Sequence, residues 1–310
     1  LVDHAIGFIH DSKSIRPDRP FFTYLAFGAM HAPHQAPAEY LEKYRGRYDA
    51  GWDAAREAWF ARQIEMGLLP ADTELAPRNP GVEPWDELSE NEQKLAARLQ
   101  EAFAGFLDHT DAQVGRLLDT LEQLGELDNT IIVFLSDNGA SQEGGRFGSM
   151  HEMKYFNLMD ETPDEAVERL DDIGGPHSHT NYPWGWAQAG NTPFKWYKQN
   201  THEGGVHVPL VVHWPAGIAD AGGLRDQFHH VNDLAPTIYD ALGVTAPEVY
   251  RGLEQLPITG VSMLSTFDDA AAPPAKTVQY FEMMGHRAIY ADGWKAVTRH
   301  QSGVSFDDDT

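Results

Sequence analysis

The stretch "IIVFLSDNGA" (residues 131–140) decides the fold. Its five apolar residues, Ile131 to Leu135, are few enough for a strand and apolar enough for a parallel sheet covered on both faces. The run then ends in an acid, an amide and a glycine: Asp137, Asn138 and Gly139. In open α/β sheets, ligands bind outside the carboxyl ends of the strands. The same residues also make an ordinary turn, because Asn-Gly and Asp are strong turn formers. On these residues alone both readings stand.

Working outward, "FFTYLAF" (21–27) has the aromatic, β-enriched content of a second buried strand. The Gly/Pro loop "GAMHAPHQAP" (28–37), with His31 and His34, follows it, again at a strand's carboxyl end. Upstream, Val2, Ala5, Ile6 and Ile9 share one face of a short helix that "RPDRP" (16–20) breaks. Residues 38–88 are a long excursion with a helical piece around 51–67 and a proline-rich tail. Excursions of that length inside a domain serve as lids or binding walls. Ser89 and Glu92 form a capping box. It opens a helix with Leu95, Leu99, Phe103, Phe106, Leu107, Val114, Leu117, Leu118 and Leu121 at helical spacing, ended by Gly125. Asp108, His109 and Asp111 on it read as solvated or locally paired.

Residues 141–190 form a second long connection, before a strand at 208–214 and a helix at 229–244. From 276 the pattern is antiparallel, around an Asp292-Gly293 turn. No internal repeat is visible. Strands alternating with helices, then a small antiparallel piece, predict an α/β domain over 1–265 and the start of a C-terminal subdomain over 266–310.

The 310 residues include 23 basic and 47 acidic ones, a formal charge of −24. That excludes a general binder of nucleic acid or anionic membrane, which needs basic surface. An anion site must therefore be built locally, from a metal, a lysine or histidines. With 42% apolar residues a sizeable core forms, and the absence of cysteine rules out disulfides and thiolate metal sites. No segment has the length of a transmembrane helix and no signal peptide is seen. The chain opens on "LVDHAIGFIHD", as if inside a helix, and stops at "SFDDDT", so both ends look cut. Oligomeric state stays open, and so does the compartment.

Three polar clusters carry the candidate chemistry: His31 with His34, Asp137 with Asn138, and the Lys198–His207 segment. Asp and Asn offer hard oxygen ligands suited to Ca²⁺ or Mg²⁺, but two are too few for such an ion. "EGG" (203–205) lets backbone approach a ligand closely. Lys198 is a compact cation and His31 a possible proton donor. Each also has a plain reading, as a surface lysine or a loop histidine.

Taken together, five blocks resemble the sulfatase family over nearly the whole chain. They are "FFTYLAFGAMHAPHQAP", "FLDHTDAQVGRLLDTLEQLGELDNTIIVFLSDNGA", "WAQAGNTPFKWYKQNTHEGGVHVPLVVHWP", "HHVNDLAPTIYDALGV" and "GHRAIYADGWKAV", in that order. The look is that of bacterial arylsulfatases carrying the "YRGRYDAGWDAAREAWFARQ" insertion, whose compartment would be cytoplasm or periplasm. The resemblance implies an alkaline-phosphatase-like fold, with a large mixed β-sheet between helices and a small C-terminal antiparallel sheet. It implies hydrolysis of small sulfate monoesters with one divalent cation, calcium first and magnesium second. Asp137 and Asn138 look like two of the cation's ligands. His31 looks like the histidine that holds the ester and helps protonate the leaving group, and Lys198 like the lysine that binds the sulfate oxygens.

The chain departs from that family in what it lacks. The C/S-x-P-x-R motif that yields the formylglycine nucleophile is absent, as are the upstream Asp pair and the Lys-x-His segment. These are expected upstream of Leu1, and residues 1–310 alone are expected to be inactive. Position 207, where the family usually has Arg, is His, which lacks Arg's bidentate fork. A phosphoryl or phosphonate ester hydrolase of the same fold and a non-catalytic relic are the competing readings. The upstream nucleophile discriminates between them.

Overall fold

The computed structural model describes residues 1–159 and 161–299, with the backbone alone of Tyr155 and Phe156. The terminal "SFDDDT" (305–310) lies outside the described residues. The chain divides into two compact units. The first comprises Leu1–Leu127, Gly139–Lys198 and Glu203–Gly205; the second comprises Asp128–Asn138, Gln199–His202 and the chain from Val206.

The first unit is helical. It holds α1 (Val2–Ile15), α2 (Ala38–Glu42), α3 (Gly51–Glu65), α4 (Glu90–Gln123), α5 (Glu152–Phe156), α6 (Pro163–Ala166) and α7 (Trp184–Gly190). Helix α4, 34 residues and so roughly 50 Å long, is its spine. The capping box opens it: Ser89 Oγ accepts from Glu92 N at 3.3 Å, and Glu92 Oε2 accepts from Ser89 N at 2.7 Å. Past its end Gly125 has a positive φ of 70°, the conformation that commonly terminates a helix. Leu95, Leu99 and Leu121 are buried on its inner face, while Leu107 is exposed. Asp108 pairs with Lys43 at 2.5 Å.

Part of the 38–88 excursion belongs to the core. Leu41 and Trp52 are core residues packed with Leu99, Ala102, Ile173 and Trp186, and Tyr48, Trp59 and Trp85 lie against them. Trp52, Trp85 and Trp186 meet edge to face at 4.9–6.1 Å between ring centroids, the geometry that ring quadrupoles favour. The indole Trp186 Nε1 donates to Ala96 O at 2.9 Å and Trp52 Nε1 to Glu83 O at 3.1 Å. One ion pair is buried among them, Arg98 to Glu101 at 2.8 Å. Its remaining hydrogen-bonding capacity is used by backbone, with Arg98 Nη2 donating to Ile173 O and Gly46 N to Glu101 Oε1. That satisfaction is what makes a buried pair tolerable.

The second unit carries the strands: β1 (Ile132–Leu135), β2 (Leu210–His213), the hairpin β3 (Val249–Tyr250) and β4 (Leu253–Glu254), and the meander β5 (Val278–Met283), β6 (His286–Ala291) and β7 (Trp294–Thr298). The meander is the small antiparallel sheet expected near the C-terminus. Strand β1 pairs antiparallel with β2, Val133 opposite Val212, and Phe134 is 49% exposed. The expectation of a parallel strand covered on both faces is thus corrected, since an apolar run specifies neither the direction nor the identity of its partner. The expected strand at 21–27 is absent: the segment is irregular, with Phe22 and Tyr24 exposed. A strand needs a hydrogen-bonded neighbour, and among the described residues none pairs with it.

The three hairpins among the described residues turn through two residues of positive φ, Arg251-Gly252, Met284-Gly285 and Asp292-Gly293, as the twist of paired strands demands. Only the last was legible, because Arg-Gly and Met-Gly are weak turn signals. The helix expected at 229–244 is shorter, α8 (Leu234–Ala241), preceded by one 3₁₀ turn. Asp233 is fully buried there, accepting from His230 N at 2.8 Å and Val261 N at 2.9 Å and pairing with Lys276 at 3.0 Å. Among the described residues no helix is long and apolar enough to cross a membrane.

Leu99→Ala should destabilise the protein by about 2–5 kcal/mol in denaturant unfolding, the cost of a cavity at a fully buried position. Ser89→Ala should cost about 1 kcal/mol through loss of the cap. A larger effect for the cap than for the cavity would contradict the placement of α4 as the spine.

Candidate active site

In the first unit, backbone packs on backbone beside Gly139. Gly139 N donates to Gly205 O at 3.0 Å, and a Cβ on Gly139 would fall 1.8 Å from Gly204 O. A Cβ on Gly204 would fall 2.1 Å from Trp196 O. Close approach, not a left-handed turn, is what requires glycine at both positions. Ala140 is then held from two sides: its N donates to Asn191 Oδ1 at 2.8 Å and its O accepts from Lys198 N at 3.0 Å. Asn191 Nδ2 donates to Trp196 O at 3.1 Å. Trp196 has a positive φ of 67° and its N donates to Asn79 Oδ1. Lys198 is therefore seated by a hydrogen-bonded frame.

The loop bearing His31 is anchored too. His34 N donates to Thr180 O at 3.0 Å, and Thr180 Oγ1 donates back to His34 O at 2.9 Å. These two anchorages bring His31 and Lys198, 167 residues apart in sequence, to 3.1 Å between His31 Nε2 and Lys198 Nζ. His31 Nδ1 lies 2.9 Å from Ala32 O, a contact that assigns the proton of the neutral ring to Nδ1. Nε2 then carries the lone pair and accepts from the ammonium.

Glu143 completes the cluster. Its Oε2 accepts from Lys198 Nζ at 3.0 Å and from Ser141 Oγ at 2.8 Å, and stands 3.5 Å from His31 Nε2. Partial burial raises the Glu143 carboxyl, but hydrogen bonds from Lys198 and Ser141, with the charge of Lys198, outweigh it and hold the group below the ordinary carboxylate range. Sequence reasoning missed Glu143, one of 47 acidic residues. Its position five residues after Asn138 has no spacing rule to single it out.

Asp137 and Asn138 lie in the second unit, at the carboxyl end of β1. Asp137 is exposed and Asn138 half-buried, with Asn138 O accepting from Ser136 Oγ at 2.8 Å. Their side chains are the hard oxygen donors that suit calcium or magnesium. Two donors are a partial set, and among the described residues no group of three His, Cys, Asp or Glu could hold a metal. His207, also in the second unit, is exposed.

His34, grouped with His31 in the sequence, is a core residue. It is 2% exposed, its ring packed on Phe103 and Tyr182 at 5.1 and 4.9 Å. Burial, with a smaller contribution from His31, drives its pKa down to about 3.

The sequence model described as Sulfatase matches residues 1–244. An uncharacterized sulfatase of Schizosaccharomyces pombe is 32% identical over 310 residues, 97% of this chain and 53% of that protein. An arylsulfatase of Klebsiella aerogenes is 31% identical over 265 residues, 85% of this chain and 54% of that protein. The chain thus spans about half the length of these relatives. Among solved structures, Ps i-CgsB in complex with k-i-k-neocarrahexaose aligns with a TM-score of 0.55 at 22% identity, covering 97% of this chain and 46% of that one. At that identity the likeness speaks for the fold.

A histidine whose folded pKa lies below its unfolded value binds its proton more readily when unfolded, so stability falls as pH drops. For His34 the window runs from about 6.5 down to about 3. The wild-type protein should lose up to about 1.4 kcal/mol per pH unit there relative to His34→Gln, read by denaturant unfolding from pH 7 to pH 4.5. A stability difference that stays constant over that range would show that His34 is protonated in the folded state.

Proposed function

The chain belongs to the sulfatase family, and we propose that it forms the larger part of a sulfuric ester hydrolase acting on small sulfate monoesters. The observation that carries this reading is the meeting of Lys198 and His31 at 3.1 Å from distant parts of the chain. A sulfate ester repels nucleophiles through its negative oxygens, so cleavage needs cationic donors where that charge concentrates and an acid for the departing oxygen. Lys198 supplies the first. Its ammonium binds the sulfate oxygens; its backbone is fixed by Ala140 and its Nζ is positioned by Glu143 and His31. His31 supplies the second. Nε2 faces the lysine, and once protonated it delivers that proton to the leaving alcohol.

Asp137 and Asn138 fit a divalent cation by donor type and would supply two of its ligands, the others coming from outside this chain. Calcium is the first choice and magnesium the second. When bound, that ion offsets anionic charge on the ester oxygens. The nucleophile assigned here, a formylglycine upstream of Leu1, likewise lies outside this chain. Residues 1–265 are assigned to the catalytic domain and 266–310 to the start of a C-terminal antiparallel subdomain.

In the full-length protein, Asp137→Ala should lower bound calcium and turnover of p-nitrophenyl sulfate together, measured by elemental analysis and assay. Full metal occupancy in that variant would remove Asp137 from the ligand set. His31→Ala and Lys198→Ala should each reduce turnover by a factor on the order of a hundred or more, with thermal midpoints close to wild type. His31→Ala should suffer most with poor leaving groups, and wild-type kinetics in both variants would refute the two roles.

A further inference from the structure

An anion site that contains its own anion needs a reason. Glu143 Oε2 lies 3.0 Å from Lys198 Nζ and 3.5 Å from His31 Nε2, against the two groups assigned to hold the sulfate. Ser141 Oγ donates to that same oxygen at 2.8 Å, and Glu143 N donates to Ser141 Oγ at 3.1 Å. The carboxylate is therefore held in place by a local loop of hydrogen bonds as well as by its partners. It is an anion at neutral pH, since those partners lower its carboxyl below the ordinary range despite the opposing effect of burial.

We propose that Glu143 sets the charge selectivity of this site, admitting monoanionic esters and disfavouring dianions. The proposal rests on the reading of Lys198 and His31 given above. A sulfate monoester carries one negative charge at neutral pH. Inorganic sulfate carries two, and a phosphate monoester nearly two, because its second pKa is about 6. Attraction to Lys198 and repulsion from Glu143 both scale with the charge of the ligand. A bare lysine favours the dianion, whereas a lysine paired with a fixed carboxylate loses most of that preference. The overall charge of −24 cannot do this work, because its influence is screened beyond about 8 Å at physiological salt. Discrimination at contact needs a carboxylate at contact. The consequence for turnover is that product sulfate binds weakly and phosphate esters compete poorly.

The test uses the full-length protein and two probes of similar shape, inorganic sulfate and methyl sulfate, as competitive inhibitors and in calorimetry. Glu143→Gln should tighten inorganic sulfate by about tenfold more than methyl sulfate, a shift of about 1.4 kcal/mol. Glu143→Asp keeps the charge and should keep the wild-type ratio of the two affinities. Equal changes for both probes in Glu143→Gln, or weakened binding of both in Glu143→Gln and Glu143→Asp alike, would overturn the proposal and leave Glu143 a packing residue. Lys198→Ala is the control for the underlying reading and should weaken both probes. If it leaves both unchanged, Lys198 does not bind the anion, and that reading falls together with the role of Glu143.

Discussion

The contact on which the helical unit's site depends is between backbones. A methyl group on Gly139 would collide with Gly204 O, and one on Gly204 with Trp196 O. That packing brings Gly139 and Ala140 against Lys198 and Gly204–Gly205. Asn191 then bridges Ala140 and Trp196. From that frame Lys198 N reaches Ala140 O, and the lysine side chain is aimed at His31 and Glu143. An interaction built from glycine backbone depends on the absence of a side chain. It is also unforgiving, because no relaxation of a neighbour can make room for a Cβ against a carbonyl oxygen.

Electrostatics in this chain works at two ranges. Over the surface, the formal charge of −24 acts at long range and is screened by salt. At the site, the Lys198 ammonium supplies a local positive charge beside the His31 lone pair, and Glu143 tempers it. The buried Arg98–Glu101 and Lys276–Asp233 pairs belong to a different category. Their remaining hydrogen-bonding groups are met by backbone and amide partners, so they hold segments in register and leave little for a ligand. Neither the charge count nor the number of ion pairs separates these uses; exposure and partners do.

Local signals in the sequence were legible wherever the physics is local. The Ser89–Glu92 capping box and the Asp292-Gly293 hairpin turn were read correctly, because each depends on residues within a few positions of one another. The polar residues after Ile131–Leu135 were singled out because a buried run has no packing reason to end in Asp and Asn. The misreadings share one cause. The 21–27 segment has the composition of a strand and no partner among the described residues, and β1 pairs antiparallel instead of parallel. In the 38–88 excursion, read as a lid or binding wall, Leu41 and Trp52 belong to the core, which its composition alone did not reveal.

The sequence by itself determined the family, the helical spine, the C-terminal meander and the pairing of a lysine and a histidine as candidates for one chemistry. These are properties of residue type and short-range order. Only the tertiary structure decided that His31 is part of the Lys198 cluster while His34, three residues away, is a neutral core residue. It alone brought Glu143 into the cluster. Burial and long-range juxtaposition depend on which distant segments share space. That is fixed by the summed packing of the unit and is written in no single stretch of the chain.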